Sequence, residues 1–415
     1  MKRFSLALTV SISLAAGAQA QDASVISQWV QLRPGGGNEV RVVTTADKCP
    51  SLTVDGTTMP MSERAPPNPS FKVHLCAAII SDRAKTATLN ETSLALFHAN
   101  PQRVMVFGDT GCRIKGSVIQ DCNDPKQWPF PQIAAQAAKL KPDLVIHVGD
   151  YLYRESPCPD GDKRCADSPY GDTWPAWAAD FFTPAAPLLA SSPWVFVRGN
   201  HEDCERSGLG WLRLLGPQVF NPVAGCETHL RLYTVPLGEV DLAVMDNADA
   251  PDVTIDSDLR SEYEADFADL AKSKAPHLWL AMHRPIWGAI TGPFSIPMGG
   301  NRTLIASLTD LHALDRVQLM LAGHIHTFEA MNYRGSAPPQ IIAGFGGDNL
   351  DSAPADLSGA NLGGGHVKDG ISLGGFGFLM MEHEKTGWRI DVYKVDGSIE
   401  KVCHFADRKL ECAKG

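Results

Sequence analysis

Along this chain the apolar residues follow two different rhythms, and the change between them falls near Pro101. Before it, Glu39–Thr44, Ser51–Val54, Lys72–Ile80 and Thr86–Leu96 read as strands punctuated by Gly, Pro, Asn and Asp, with a Pro-rich loop at Ala65–Ser70. After it, short runs rich in branched residues alternate with helical patterns, which predicts an α/β arrangement. The runs are Arg103–Phe107, Asp143–Val148, Trp194–Arg198, Leu278–Met282 and Val317–Leu321. The helices are expected at Gln132–Leu140, Thr173–Phe182, Asp258–Lys272 and Leu304–Leu314, and Arg231–Val235 and Val240–Asp246 add a strand pair. The end of the chain returns to strands at Thr327–Tyr333, Gln340–Gly344, Phe376–Glu384, Trp388–Val395 and Ile399–His404.

The first twenty residues stand apart. Lys2-Arg3, an apolar stretch from Phe4 to Ala15, and Ala18-Gln19-Ala20 have the order of a signal peptide cleaved after Ala20. That apolar stretch is shorter than the ~20 residues a membrane span needs. The expected organisation is therefore a signal peptide at 1–20, a small β-rich domain at 21–99 and a catalytic domain at 100–415. The mature protein is expected to be exported, to the periplasm or beyond, with no membrane span.

Composition changes this picture in two places. Loss of Lys2 and Arg3 takes the formal net charge from −10 to −12, and an acidic chain lacks the basic footprint of a binder of nucleic-acid polymers. A small phosphate-bearing substrate stays open, because bound cations reverse a local field. The ten cysteines form no C-x-x-C pair, so a zinc ribbon is disfavoured and disulfides are expected in an exported chain. Pairing close neighbours gives Cys49/Cys76, Cys112/Cys122, Cys158/Cys165, Cys204/Cys226 and Cys403/Cys412 as the working hypothesis.

The chemistry sits where the apolar strands stop. Arg103–Phe107 runs into Gly108-Asp109-Thr110-Gly111, and Asp143–Val148 into Gly149-Asp150 with Tyr153 three residues on. Trp194–Arg198 is followed by Gly199-Asn200-His201-Glu202, Leu278–Met282 by His283, and Val317–Leu321 by Gly323-His324-Ile325-His326. Open α/β sheets place ligands at the carboxyl ends of their strands. A Gly-Asp after a strand is most often a plain turn, and a lone strand-end histidine is most often structural. Together in one domain they form a mixed hard and borderline donor set suited to iron, manganese or zinc. His147 lies inside an apolar strand and reads as a core residue. Walker-type and H-E-x-x-H motifs are absent from the sequence.

In this order, Gly-Asp-x-Gly, Gly-Asp-x-x-Tyr, Gly-Asn-His-Glu, a strand-end His and Gly-His-x-His resemble the calcineurin-like metallophosphoesterases, and among them the purple acid phosphatases. Pro285 after His283 and the glycine-rich turn Gly344–Asn349 fit as well. Two departures from the wider superfamily are informative together. Gly111 stands where many members have a histidine, and Tyr153 stands where the general motif has no phenol.

That resemblance implies a two-sheet β-sandwich flanked by helices and two metal ions. Asp109, Asp150, Tyr153 and His326 would hold Fe(III); Asp150, Asn200, His283 and His324 would hold Zn, Mn or Fe(II). It further implies hydrolysis of phosphomonoesters, with water activated by the metals attacking phosphorus in line. His201 would protonate the leaving group, with Glu202 orienting it. Rival readings are a phosphodiesterase or nucleotidase with the same metals, and a non-catalytic phosphate-binding or interaction protein. The loops Tyr151–Tyr170, Asp249–Asp256 and Ala289–Asn301, which would choose among substrates, carry no readable signature.

Overall fold

A computed structural model describes residues 24–291, 297–309 and 311–413, so the expected signal peptide lies outside the described residues. Two sheets dominate it. The first has at its centre the parallel strands Arg103–Phe107, Leu144–His147 and Trp194–Phe196. On one side Gly377–Glu384, Gly387–Lys394, Ile399–Ala406 and Lys409–Cys412 continue it as an antiparallel meander. The second sheet centres on the parallel strands Val240–Val244, His277–Ala281, Val317–Ala322 and Gln340–Ala343.

Strict alternation explains how they stack. Val104 and Val106 point into a core shared by both sheets, while Met105 and Phe107 join the helix-covered outer face of the first. In the second sheet Trp279 and Ala281 face the shared core, and Leu278, Leu280 and Met282 the outer helical layer. Each strand is thus buried on both faces, which is why it reads as a continuous apolar run. The helix Phe130–Leu140 covers the first sheet and Ser257–Ala271 the second, giving the expected two-sheet sandwich flanked by helices.

The N-terminal segment divides between two sheets. Ser51–Val54, Thr57–Pro60, Ala87–Leu89 and Thr92–Ser93 form a sheet of their own. Val25–Leu32 instead pairs parallel with Trp194–Phe196, so that Asn38–Thr44, His74–Ile80 and Ser62–Ala65 extend the first catalytic sheet. Buried Arg41 donates to the carbonyls of Leu214 and Gly216 at 2.6 and 2.7 Å, capping the end of the helix Gly208–Leu214.

Several elements differ from expectation, each for a local reason. Val25–Leu32 escapes sequence reading because Gln31 interrupts its apolar pattern; that side chain is buried and hydrogen-bonded to Trp29 and the Leu215 carbonyl. Thr86–Leu96 is broken by Asn90 and Glu91, whose φ angles of 46° and 65° turn the chain back on itself. Thr183–Ser191 is helical despite Pro184 and Pro187, the first of which sits in the opening turn where no N–H is needed. The helix expected over Leu304–Leu314 is shorter, Arg302–Ser307, followed by a 3₁₀ turn at Leu311–Leu314. All five neighbour-pair disulfides form as expected.

Candidate metal centre

The five strand ends converge on one point between the sheets. Tyr153 Oη lies 3.1 Å from Asp109 Oδ1, 2.9 Å from Asp150 Oδ2 and 3.2 Å from His326 Nε2. Beside this group His283 Nε2 is 3.1 Å from Asp150 Oδ2 and 3.0 Å from Asn200 Oδ1. His324 Nδ1 is 2.7 Å from the same Asn200 oxygen. Asp150 thus touches both groups. Asp150, His283 and His324 alone present donor atoms that all fall within 4.8 Å of one another.

Local backbone geometry delivers these side chains. Asp109, Asp150 and His324 have φ of 58°, 61° and 70°, left-handed values that ordinary residues seldom adopt and that concentrate at functional sites. Glycines make room around them. A Cβ on Gly323 would come 2.6 Å from Asp109 Oδ2, and one on Gly149 2.9 Å from Gly199 Cα. A Cβ on Gly111 would lie 2.7 Å from Tyr153 Cδ2, so the phenol occupies the space that a histidine there would need.

Three observations test whether these residues suit cations. First, ligands at right angles on a metal with bonds of about 2.1 Å sit about 3 Å apart, the spacing seen here. Second, each histidine has its other ring nitrogen committed. His283 Nδ1 donates to Val148 O (2.8 Å), His326 Nδ1 to Asn349 O (2.6 Å), and His324 Nε2 faces Asp252 Oδ2 (3.0 Å). A carbonyl can only accept, so the lone pairs of His283 and His326 Nε2 point into the cluster, while His324 Nε2 lies between Asp252 Oδ2 and Arg284 Nη1 (3.2 Å) and its Nδ1 faces the cluster. Third, the carboxylates of Asp109 and Asp150 are almost wholly buried together beside the Tyr153 phenol, an accumulation of negative charge that is costly without positive charge. Burial, then Asp109 and Asp150, push the Tyr153 phenol well above its ordinary range. The donor set fits two cations.

Two residues behave differently from expectation. Glu202 does not orient His201. Its buried carboxylate accepts from the backbone N–H groups of Gly199, Asp150, Tyr151 and Leu152 at 2.8–3.2 Å, and so fixes the loop carrying Asp150. The ring of His201 instead meets Glu155, Nδ1 to Oε1 at 2.6 Å, and packs on the Tyr153 ring at 3.8 Å between centroids. Sequence reasoning missed Glu155 and Asp252 because isolated acids in loops carry no motif. His147 is a core residue, as expected: it is buried, stacked on Tyr151 and 3.1 Å from Thr110 Oγ1.

The cluster opens into a cavity of about 1360 Å³ lined by Arg113, His201, Arg206, Val253, Ile255 and Ile290, among others. That volume is far more than a phosphate group fills. Fold and donor set together define a metal-dependent phosphoester hydrolase. The family model of the calcineurin-like phosphoesterases matches residues 102–328, and the chain belongs to that family. Its fold is similar to that of a purple acid phosphatase, PPD1, from yellow lupin (Lupinus luteus) seeds, with a TM-score of 0.59 and 15% identity over 91% of this chain and 74% of that one. It is also similar to PhoD, with a TM-score of 0.57 and 12% identity over 94% of this chain and 92% of that one. No curated protein sequence matches the chain.

Proposed function

We propose that this chain is a dinuclear-metal phosphomonoesterase of the purple acid phosphatase kind. The observation that carries the reading is the division of one donor cluster into two groups that share Asp150. Asp109, Asp150, Tyr153 and His326 would hold a ferric ion, since a phenolate is a hard anion that suits that state. Asp150, Asn200, His283 and His324 would hold zinc, manganese or ferrous iron. Two such ions bind a phosphate, make a water nucleophilic and offset the charge that develops on phosphorus.

The chain's own residues do the rest. Val148 O and Asn349 O hold His283 and His326 in their ligating tautomers, and Asp252 faces Nε2 of His324. Glu202 fixes the backbone of Gly199, Asp150, Tyr151 and Leu152 through four N–H bonds. His201 lines the cavity and would give a proton to the departing alcohol oxygen. Residues 1–20 would direct export, in keeping with five disulfides. The catalytic domain would begin near residue 100, with part of the preceding β-rich segment extending its first sheet through Val25–Leu32 and the rest forming a small sheet of its own.

Metal analysis with a visible spectrum, on wild type and Tyr153→Phe, tests the reading. The wild type should be coloured and hold iron plus a second metal, with activity lost on chelation; Tyr153→Phe should lose the colour. A colourless protein with two divalent ions would remove the ferric assignment. The cavity volume also favours one second reading, a phosphodiesterase, because it leaves room for two ester substituents. Turnover of bis-(4-nitrophenyl) phosphate above that of 4-nitrophenyl phosphate would decide for it.

A further inference from the structure

We infer that Glu155 is the positioning residue of the proton donor, acting on the reaction through His201 alone. This rests on the function proposed above. His201 Nδ1 and Glu155 Oε1 are both buried and 2.6 Å apart, and, among the described residues, neither atom makes an aligned hydrogen bond, so this close contact is the nearest polar neighbour of each. Each therefore depends on the other to offset its loss of water. The contact turns Nδ1 toward the carboxylate and leaves Nε2 on the side of Asp150, 3.9 Å from Oδ2, where the cavity opens.

Glu155 is itself held from two directions. Lys115 Nζ is 2.9 Å from Oε2, and Arg206 is 3.7 Å from Oε1. Lys115 belongs to a short hairpin, Ile114–Lys115 with Val118–Ile119, which the Cys112–Cys122 disulfide encloses. The backbone N–H of Glu155 donates to Ile114 O at 3.0 Å, tying the acid to that hairpin. Arg206 comes from the loop after Glu202, which the Cys204–Cys226 disulfide anchors. Both covalent braces thus converge on one carboxylate and, through it, on one ring. Orientation of this kind matters for an acid, since proton transfer requires the ring nitrogen within hydrogen-bond reach of the leaving oxygen. It matters little for binding the phosphate.

The test is a cycle of Glu155→Gln, His201→Asn and the double variant, assayed on two monoesters. One is 4-nitrophenyl phosphate, whose phenolate departs without a proton; the other is glycerol phosphate, whose alkoxide needs one. Glu155→Gln should lower kcat on glycerol phosphate by about tenfold or more with KM nearly unchanged, and lower it far less on 4-nitrophenyl phosphate. In the His201→Asn background the same change should cost nothing further. Glu155→Asp, which keeps the charge, should recover part of the loss, and metal content should match wild type throughout. An equal loss on both substrates, a rise in KM alone, or a full additional loss in the His201→Asn background would overturn the assignment. Failure of the wild type to hydrolyse either monoester would instead overturn the proposed function.

Discussion

At the scale of single residues, the site depends on what is small as much as on what is charged. Tyr153 can reach Asp109, Asp150 and His326 because Gly111 leaves the space its ring fills. Gly111→Ala should therefore destabilise the fold by about 1–3 kcal/mol, as forced packing does. It should also displace the phenol. Denaturant unfolding checks the first part and the visible spectrum of the metal-loaded protein the second; an unchanged midpoint with an unchanged spectrum would show that the loop yields freely. The strand-end acids and imidazoles were legible in sequence because Gly-Asp, Gly-Asn-His and Gly-His-x-His mark places where a buried run stops. Glu155 and Asp252 were not. Each sits alone in a loop, and its partner lies 46 or 72 positions away, so only folding brings the pair together.

At the scale of elements, the N-terminal strands contribute to the catalytic sheet and to the helix behind the Asn200–Glu202 turn. Arg41 is fully buried, paired with Glu39 at 2.7 Å and bonded to two carbonyls at the end of Gly208–Leu214. Arg41→Met should cost about 3–5 kcal/mol, because it strands the Glu39 charge, frees the Leu214 carbonyl and leaves Gly216 O bonded only to Arg64 at 2.9 Å. A double variant, Arg41→Met with Glu39→Leu, should recover a good part of that loss in urea unfolding. If the double variant is no more stable than the single, the penalty lies in the carbonyls rather than the charge. Sequence reading placed a module here but not its attachment. Attachment is set by one strand, Val25–Leu32, whose buried glutamine hides it from an apolar-pattern search.

At the scale of the whole molecule, one buried acid outside the donor set should shape stability with pH. Burial, outweighing bonds from the Ala289 N–H and Thr327 hydroxyl, pushes the Glu329 carboxyl up to about 8. Unfolded, it titrates near 4.3. Between those values the folded state holds more protons, so this contribution is fully present below the unfolded pKa and is lost as pH rises through about 8. Its full span is on the order of 5 kcal/mol. The stability gap between Glu329→Gln and wild type should move in favour of the variant from pH 5 to pH 9; thermal melts at both pH values would show a constant gap if Glu329 does not titrate.

Sequence alone located the strands that carry the site and the candidate donor residues at their ends, and suggested the cysteine pairing that the structure shows. Those signals are local: a buried strand must be apolar along its length, its end must be marked by a turn, and neighbouring cysteines close short loops. Tertiary structure decided the rest. It set which atoms of the seven donors face each other, placed Asp150 against both groups, and turned Glu202 onto the backbone while giving His201 to Glu155. Those outcomes depend on distances across the gap between two sheets, fixed by the packing of hundreds of side chains rather than by any one stretch of sequence.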